Sequence, residues 1–159
     1  MAITTSEIWE FADKKNQIIT SHRRVEVLKR GGFLFEACAV QSVVLESLIF
    51  FLIVSRAIHR KMLESKKIRQ GLGKLTIGGL IKRAKQFSLL GIKLIEKLEE
   101  FKEKRNFLFH HHLNELTDFD YVDFLSRNEV LISHLFKQHR IAFYEKMKQL
   151  GIPDADKLK

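Results

Sequence analysis

The chain has 159 residues, 45 % of them apolar, and its 28 Lys and Arg outnumber its 19 Asp and Glu to give a formal net charge of +9. This length suits one domain with a sizeable hydrophobic core, which we place over residues 1–159. The single cysteine, Cys38, excludes a disulfide framework and a cysteine-based zinc site, and its place in an apolar run indicates a reducing compartment, the cytoplasm.

The first two predicted helices include the most apolar part of the chain. The first is predicted to begin at Thr5 or Ser6 and to end at the adjacent glycines 31 and 32, and the second to run over about 33–62. The apolar run is long enough to span a membrane, but Glu36 and Glu46 would be costly at mid-membrane depth. We therefore expect a buried core helix and no membrane partner, with a membrane-spanning helix as the alternative. The first twenty residues are charged and lack the apolar centre of a secretory signal.

The positive charge is concentrated in one segment that follows. Between residues 55 and 86 there are ten basic residues and one acidic residue, Glu64, which accounts for the whole net charge. Such a segment attracts phosphate polymers or anionic surfaces. The alternative is a solvated, lysine-rich segment that aids solubility. The candidate binding residues within it are Lys66, Lys67, Arg69, Lys74, Lys82 and Arg83.

Three further helices complete the predicted fold. Residues 77–87 are predicted as a short helix and residues 92–112 as a long one, and either Asp118 or Asp120 is expected to open a last helix that ends near residue 150. No stretch alternates apolar and polar residues for long enough to predict a strand. The fold class is therefore an all-α bundle of four main helices and one short helix.

Arg105 lies in the middle of the apolar stripe of the fourth of these helices. At about 100° per residue, Leu98 and Phe101 fall within about 40° of it. This position is informative because an unpaired guanidinium is costly to bury. Three explanations remain open: an ion pair with Glu46 of the second helix, a side chain that reaches solvent where the stripe ends, or a cleft that binds an anion.

Three consecutive histidines, His110, His111 and His112, end the same helix. Neighbouring side chains on a helix diverge by about 100°, so these cannot converge on one ion, and we expect neither a metal nor a cofactor. A histidine exchanges protons near neutral pH, while an arginine can hold a phosphate and offset charge that develops on it. Because RNA carries its own nucleophile, the 2′-hydroxyl, an arginine and a histidine could suffice to cleave it.

The stretch RNFLFH, residues 105–110, resembles the signature of the HEPN superfamily: an arginine, commonly followed by a polar residue such as asparagine, and a histidine after four to six intervening residues. The resemblance implies a helical domain of four or five helices that acts as a metal-independent endoribonuclease. It assigns catalytic roles to Arg105, Asn106 and His110, with His112 as an alternative histidine that also satisfies the spacing. Some toxin members have a tyrosine two residues after the histidine, where this chain has His112.

The same resemblance implies partners and leaves alternatives. HEPN endoribonucleases are often toxins or antiviral effectors and act as dimers with facing motifs, so RNA, a second copy of the chain and a neutralising protein are the expected partners. Phe107 faces outward from its helix and must be covered, either by a second protomer or by the segment that follows the helix. The alternatives to a nuclease are a non-catalytic HEPN-like module that binds RNA, nucleotide or protein, and a helical scaffold in which Arg105 pairs structurally with Glu46.

Overall fold

A computed structural model of the chain describes residues 5–59, 75–111 and 119–149. Within these ranges the backbone forms five α-helices and no strand, which confirms the predicted all-α fold class. The helices are α1 (Thr5–Arg30), α2 (Leu34–His59), α3 (Ile77–Gln86), α4 (Ile92–His111) and α5 (Tyr121–Gln149).

The turn between α1 and α2 is made by glycine, as predicted. Gly32 has a φ of 79°, a left-handed conformation that glycine adopts without a Cβ penalty. The Phe33 N–H donates to the Leu28 carbonyl at 3.0 Å, and the Gly32 N–H donates to that of Lys29 at 3.1 Å. These bonds satisfy carbonyls at the end of α1 and reverse the chain into α2.

Helix α2 is the central element and contacts α1, α3 and α5. Its side chains Leu45, Ile49 and Leu52 are fully buried. Buried Gln41 donates from Nε2 to the Leu125 carbonyl at 3.1 Å, which ties α2 to α5. By length and composition the segment Leu34–Ala57 could cross a membrane, yet 61 % of its most apolar window is buried inside the fold.

Helices α3 and α4 pack against each other, and α4 contains Arg105. Thr76 caps α3 by accepting from the Gly79 N–H at 3.3 Å. On α4, Glu99 accepts hydrogen bonds from Lys102 and from Lys85 of α3, and these bonds hold the pKa of Glu99 below its usual value. The apolar stripe of α4 is buried, and α4 also contacts α5.

Helix α5 begins where the sequence indicated. The Asp120 side chain accepts a hydrogen bond from the Asp123 N–H at 2.8 Å, so Asp120 caps the helix. Asp118, the other predicted candidate, lies outside the described residues. Buried Phe124 and Leu125 in the first turns place the start of α5 in the core.

Candidate functional site

Arg105 and Glu46 meet between α4 and α2. Arg105 Nη2 lies 2.9 Å from Glu46 Oε1, and the two side chains are 31 % and 32 % exposed. Two of the explanations for Arg105 therefore hold together: it is paired with the carboxylate of the second helix, and it also reaches solvent. The guanidinium is neither sealed in the core nor free at the surface.

Two residues of α4 also hold the Arg105 guanidinium. Nη1 donates to Asn106 Oδ1 at 3.2 Å, and Cζ lies 5.0 Å from the centroid of the Phe109 ring. The Phe109 ring in turn packs edge-on against Phe35 of α2, with centroids 5.9 Å apart. Sequence reasoning missed the part played by Phe109, although its spacing of four residues from Arg105 on a helix is the signal that would have found it.

We call Arg105, Glu46, Asn106 and Phe109 the Arg105 cluster. Some of its polar atoms lack a hydrogen-bond partner. Within the described residues Arg105 Nε is buried without a hydrogen-bond partner, and Glu46 Oε1 is buried and lacks a hydrogen bond of good geometry despite its 2.9 Å ion-pair contact. Arginine has five N–H donors in a planar fork, and the contacts to Glu46 and Asn106 leave part of that fork unused. The unused N–H groups of Nη1 and Nη2 can donate hydrogen bonds to an anion that approaches from the exposed side.

His110 lies in the last turn of α4 and is exposed. It is about 140° around the helix and about 7.5 Å along it from Arg105, and within the described part of the chain it makes no hydrogen bond or ion pair. Asn106 lies only about 40° from His110 around the helix axis, so its bond to Arg105 draws the guanidinium toward the His110 flank. The site thus brings together Arg105, Asn106 and Glu46, with His110 on the adjacent surface; His112 lies outside the described residues.

The predicted basic segment is described only at its two ends. Lys82 and Arg83 are exposed on α3, where Arg83 Nη1 donates to Gln86 Oε1 at 3.3 Å. Arg56, at the other end, donates from Nη2 to Gln138 of α5 at 2.8 Å and so helps to join two helices. Four predicted binding residues lie outside the described residues: Lys66, Lys67, Arg69 and Lys74.

Phe107 is covered in part by its own chain. Its ring stacks on that of Phe119 with centroids 6.1 Å apart, and Phe119 also packs edge-on against Tyr121 at 5.1 Å. This is the cover by the following segment that the sequence left open as the alternative to a second protomer. Phe107 still keeps 46 % of its surface exposed, beside Asn106.

Glu46 also lines a groove of about 500 Å³ between α1, α2 and α3. Ser21, Ser47, Phe50 and Leu80 are among its other lining residues. Sequence periodicity gives no signal for such a groove, because its shape depends on how the helices are placed. Among the side chains described, no group of three or more His, Cys, Asp or Glu residues is arranged to hold a metal ion.

Comparison with family models, curated proteins and solved structures finds no match to this chain. We therefore infer a function from the chemistry of the Arg105 cluster and the charge of the segment around α3, together with the resemblance of residues 105–110 to the HEPN signature.

Proposed function

We propose that the chain is a metal-independent endoribonuclease of HEPN type. One observation carries the proposal: the Arg105 guanidinium is oriented by Asn106 and Phe109, keeps about a third of its side chain exposed, and has the exposed His110 on the adjoining flank. An oriented cation and a histidine on the same helix are the minimum equipment for cleavage by the 2′-hydroxyl of RNA.

In this mechanism a histidine, His110 or His112, removes the proton from a ribose 2′-hydroxyl. The 2′-oxygen attacks the adjacent phosphorus, the bond from phosphorus to the 5′-oxygen breaks, and the leaving oxygen takes up a proton. Arg105 binds the phosphate and offsets the charge that develops on it, while Asn106 orients the guanidinium. The products are a 2′,3′-cyclic phosphate and a 5′-hydroxyl.

Glu46 sets the condition under which Arg105 can act. A partly exposed ion pair contributes only about 0–1 kcal/mol, so a phosphate that binds in a bidentate manner can compete for the same guanidinium. Glu46 therefore keeps Arg105 in place between substrates without holding it out of reach.

A second copy of the chain completes the proposed site. Arg105 and His110 diverge by about 140° on one helix, so two facing motifs would surround a strand better than one. The exposed part of Phe107 adjoins this flank and suits an isologous contact between copies. As a toxin or antiviral effector of the cytoplasm, the enzyme would act on cellular or foreign RNA until a neutralising protein bound it.

The runner-up is a non-catalytic HEPN-like module that binds RNA, nucleotide or protein. The observation that favours it is the Glu46 contact, which partly neutralises Arg105. In addition, among the described residues no hydrogen bond joins Arg105 to His110. Such a module would bind RNA without cutting it.

The test is incubation of RNA with the purified protein in EDTA, followed by analysis of the fragment ends. We expect cleavage that leaves a 2′,3′-cyclic phosphate and a 5′-hydroxyl, and no cleavage of the same strand with a 2′-deoxyribose at the cut position. Binding without cleavage would support the runner-up, and cleavage of the deoxyribose control would exclude the proposed chemistry.

A further inference from the structure

The C-terminal half of α3 carries an exposed basic surface with an aromatic ring at its end. We call Lys82, Arg83, Gln86 and Phe87 the α3 basic face. At about 100° per residue these four side chains span about 140° of the helix circumference. The opposite side of α3 is buried through Ile81 and Ala84, so the face is directed to solvent.

The charges of this face are not neutralised by the described residues. Among the described residues, neither Lys82 nor Arg83 forms an ion pair with a carboxylate. Nearby Lys85, in contrast, is paired with Glu99 at 2.9 Å. Arg83 is nevertheless oriented, because its Nη1 bonds to Gln86 and its Cζ lies 5.9 Å from the centroid of the Phe87 ring. Phe87 itself is 38 % exposed.

We propose that the α3 basic face is a binding site for single-stranded RNA, in which Phe87 stacks on one base while Lys82 and Arg83 bind the flanking phosphates. Unpaired bases stack on aromatic rings and on guanidinium planes, and an Arg–Phe pair presents both surfaces together. A duplex hides its base faces and would use only the charges, so the exposed ring indicates a single strand.

The choice of RNA over other polyanions rests on the proposed function. The position of the face fits that function, since Lys85 of α3 binds Glu99, which lies six residues before Arg105, or about 9 Å along α4. A strand bound on α3 could therefore continue along α4 toward the Arg105 cluster.

The test measures binding separately from cleavage. The full chain carrying His110→Ala and His112→Ala is titrated into three fluorescein-labelled probes: a short single-stranded RNA, its duplex, and the same strand with abasic sites. In this background Phe87→Leu should weaken binding of the single strand by about 5- to 100-fold, the scale of one base–aromatic stack, and leave the duplex and the abasic strand unchanged. Phe87→Trp should retain or strengthen binding of the single strand.

Two matched controls identify the surface. Phe33→Leu removes another exposed ring, 56 % exposed at the turn between α1 and α2, and should change nothing. Lys82→Gln with Arg83→Gln should weaken binding of all three probes, whereas Lys137→Gln on α5 should not.

Three results would overturn the inference. Phe87→Leu could bind the single strand as tightly as the parent chain does, it could lose as much affinity for the duplex as for the single strand, or the parent chain could bind no RNA. If the affinity for single-stranded RNA depends on Phe87 but the wild-type chain does not cut RNA, the proposed nuclease activity is wrong and the proposed binding site is retained.

Discussion

Glu46 on α2 and Arg105 on α4 form an ion pair in which each side chain keeps about a third of its surface exposed. The degree of exposure decides what the pair can do. If the pair were fully buried, loss of one partner would strongly destabilise the fold, and a ligand could not reach the guanidinium. A partly exposed pair can be separated at a small cost in free energy. The same contact can therefore position Arg105 in the fold and release it to a phosphate.

We predict a small coupling energy between these two residues. In a double-mutant cycle of Glu46→Gln and Arg105→Met, measured by urea unfolding, the coupling should be about 0.5–1 kcal/mol and should fall as salt is added. The more exposed pair of Arg127 and Glu100 is the control and should give less. A coupling energy of about 3 kcal/mol or more would mean that the ion pair mainly stabilises the fold. It would favour the alternative of a helical scaffold in which Arg105 has no catalytic role.

A second prediction concerns the salt dependence of RNA binding. Replacement of Lys66, Lys67 and Arg69 by glutamine should reduce the slope of log affinity against log salt by about 2, because each phosphate contact on a single strand contributes about 0.7. Glutamine at Lys93, Lys97 and Lys137, outside the basic segment, is the matched control. If both triple variants keep the slope of the wild type, the segment is a solvated surface.

The sequence predicted the fold better than the site. Helical spacing, the glycines at 31 and 32 and a cap at Asp120 are local signals, and each appears in the structure where it was expected. The partnership of Arg105 with Glu46 could be foreseen as a candidate because an unpaired guanidinium is costly to bury. Exposure of Arg105 and cover of Phe107 by the segment after its helix could be named only as alternatives among others. The groove beside Glu46 could not be foreseen, since it depends on how helices far apart in sequence are placed.

Cys38 gives a third prediction, on alkaline stability. Burial raises the pKa of its thiol to about 12, whereas the pKa of a thiol in the unfolded chain is about 8.5. The folded thiol keeps its proton between these values while the unfolded one loses it, so the contribution to stability is complete below about pH 8.5 and declines up to about pH 12.

The measurement compares wild type with Cys38→Ala by urea unfolding at about pH 8 and about pH 10. The difference in free energy of unfolding between the two proteins should be smaller at the higher pH. Val44→Ala, at another buried position of α2, removes no titrating group and should show a constant difference. A Cys38→Ala difference that does not change with pH would contradict the raised pKa.

A fourth prediction concerns assembly through the exposed part of Phe107. Light scattering should give a dimer mass, and Phe107→Lys should yield a monomer with reduced RNA cleavage, because a lysine would place charge in the isologous contact. Val130→Lys, which alters another exposed apolar position on α5, should leave the dimer intact. A protein that is monomeric at high micromolar concentration and cuts RNA would rule out the shared site, and would favour cover of Phe107 by its own chain.

The most direct test of the nuclease proposal is the cleavage rate of RNA in EDTA by wild type and by single alanine variants at Arg105, His110 and His112. Circular dichroism should first show that each variant is folded. His134→Ala and Arg140→Ala, which alter an exposed histidine and an exposed arginine on α5, serve as controls and should cut like wild type. We predict that Arg105→Ala and one of His110→Ala and His112→Ala lose about 10²-fold or more of the rate, the scale of a missing acid–base or charge-stabilising group. Cleavage at the wild-type rate by Arg105→Ala and by both histidine variants would contradict the account.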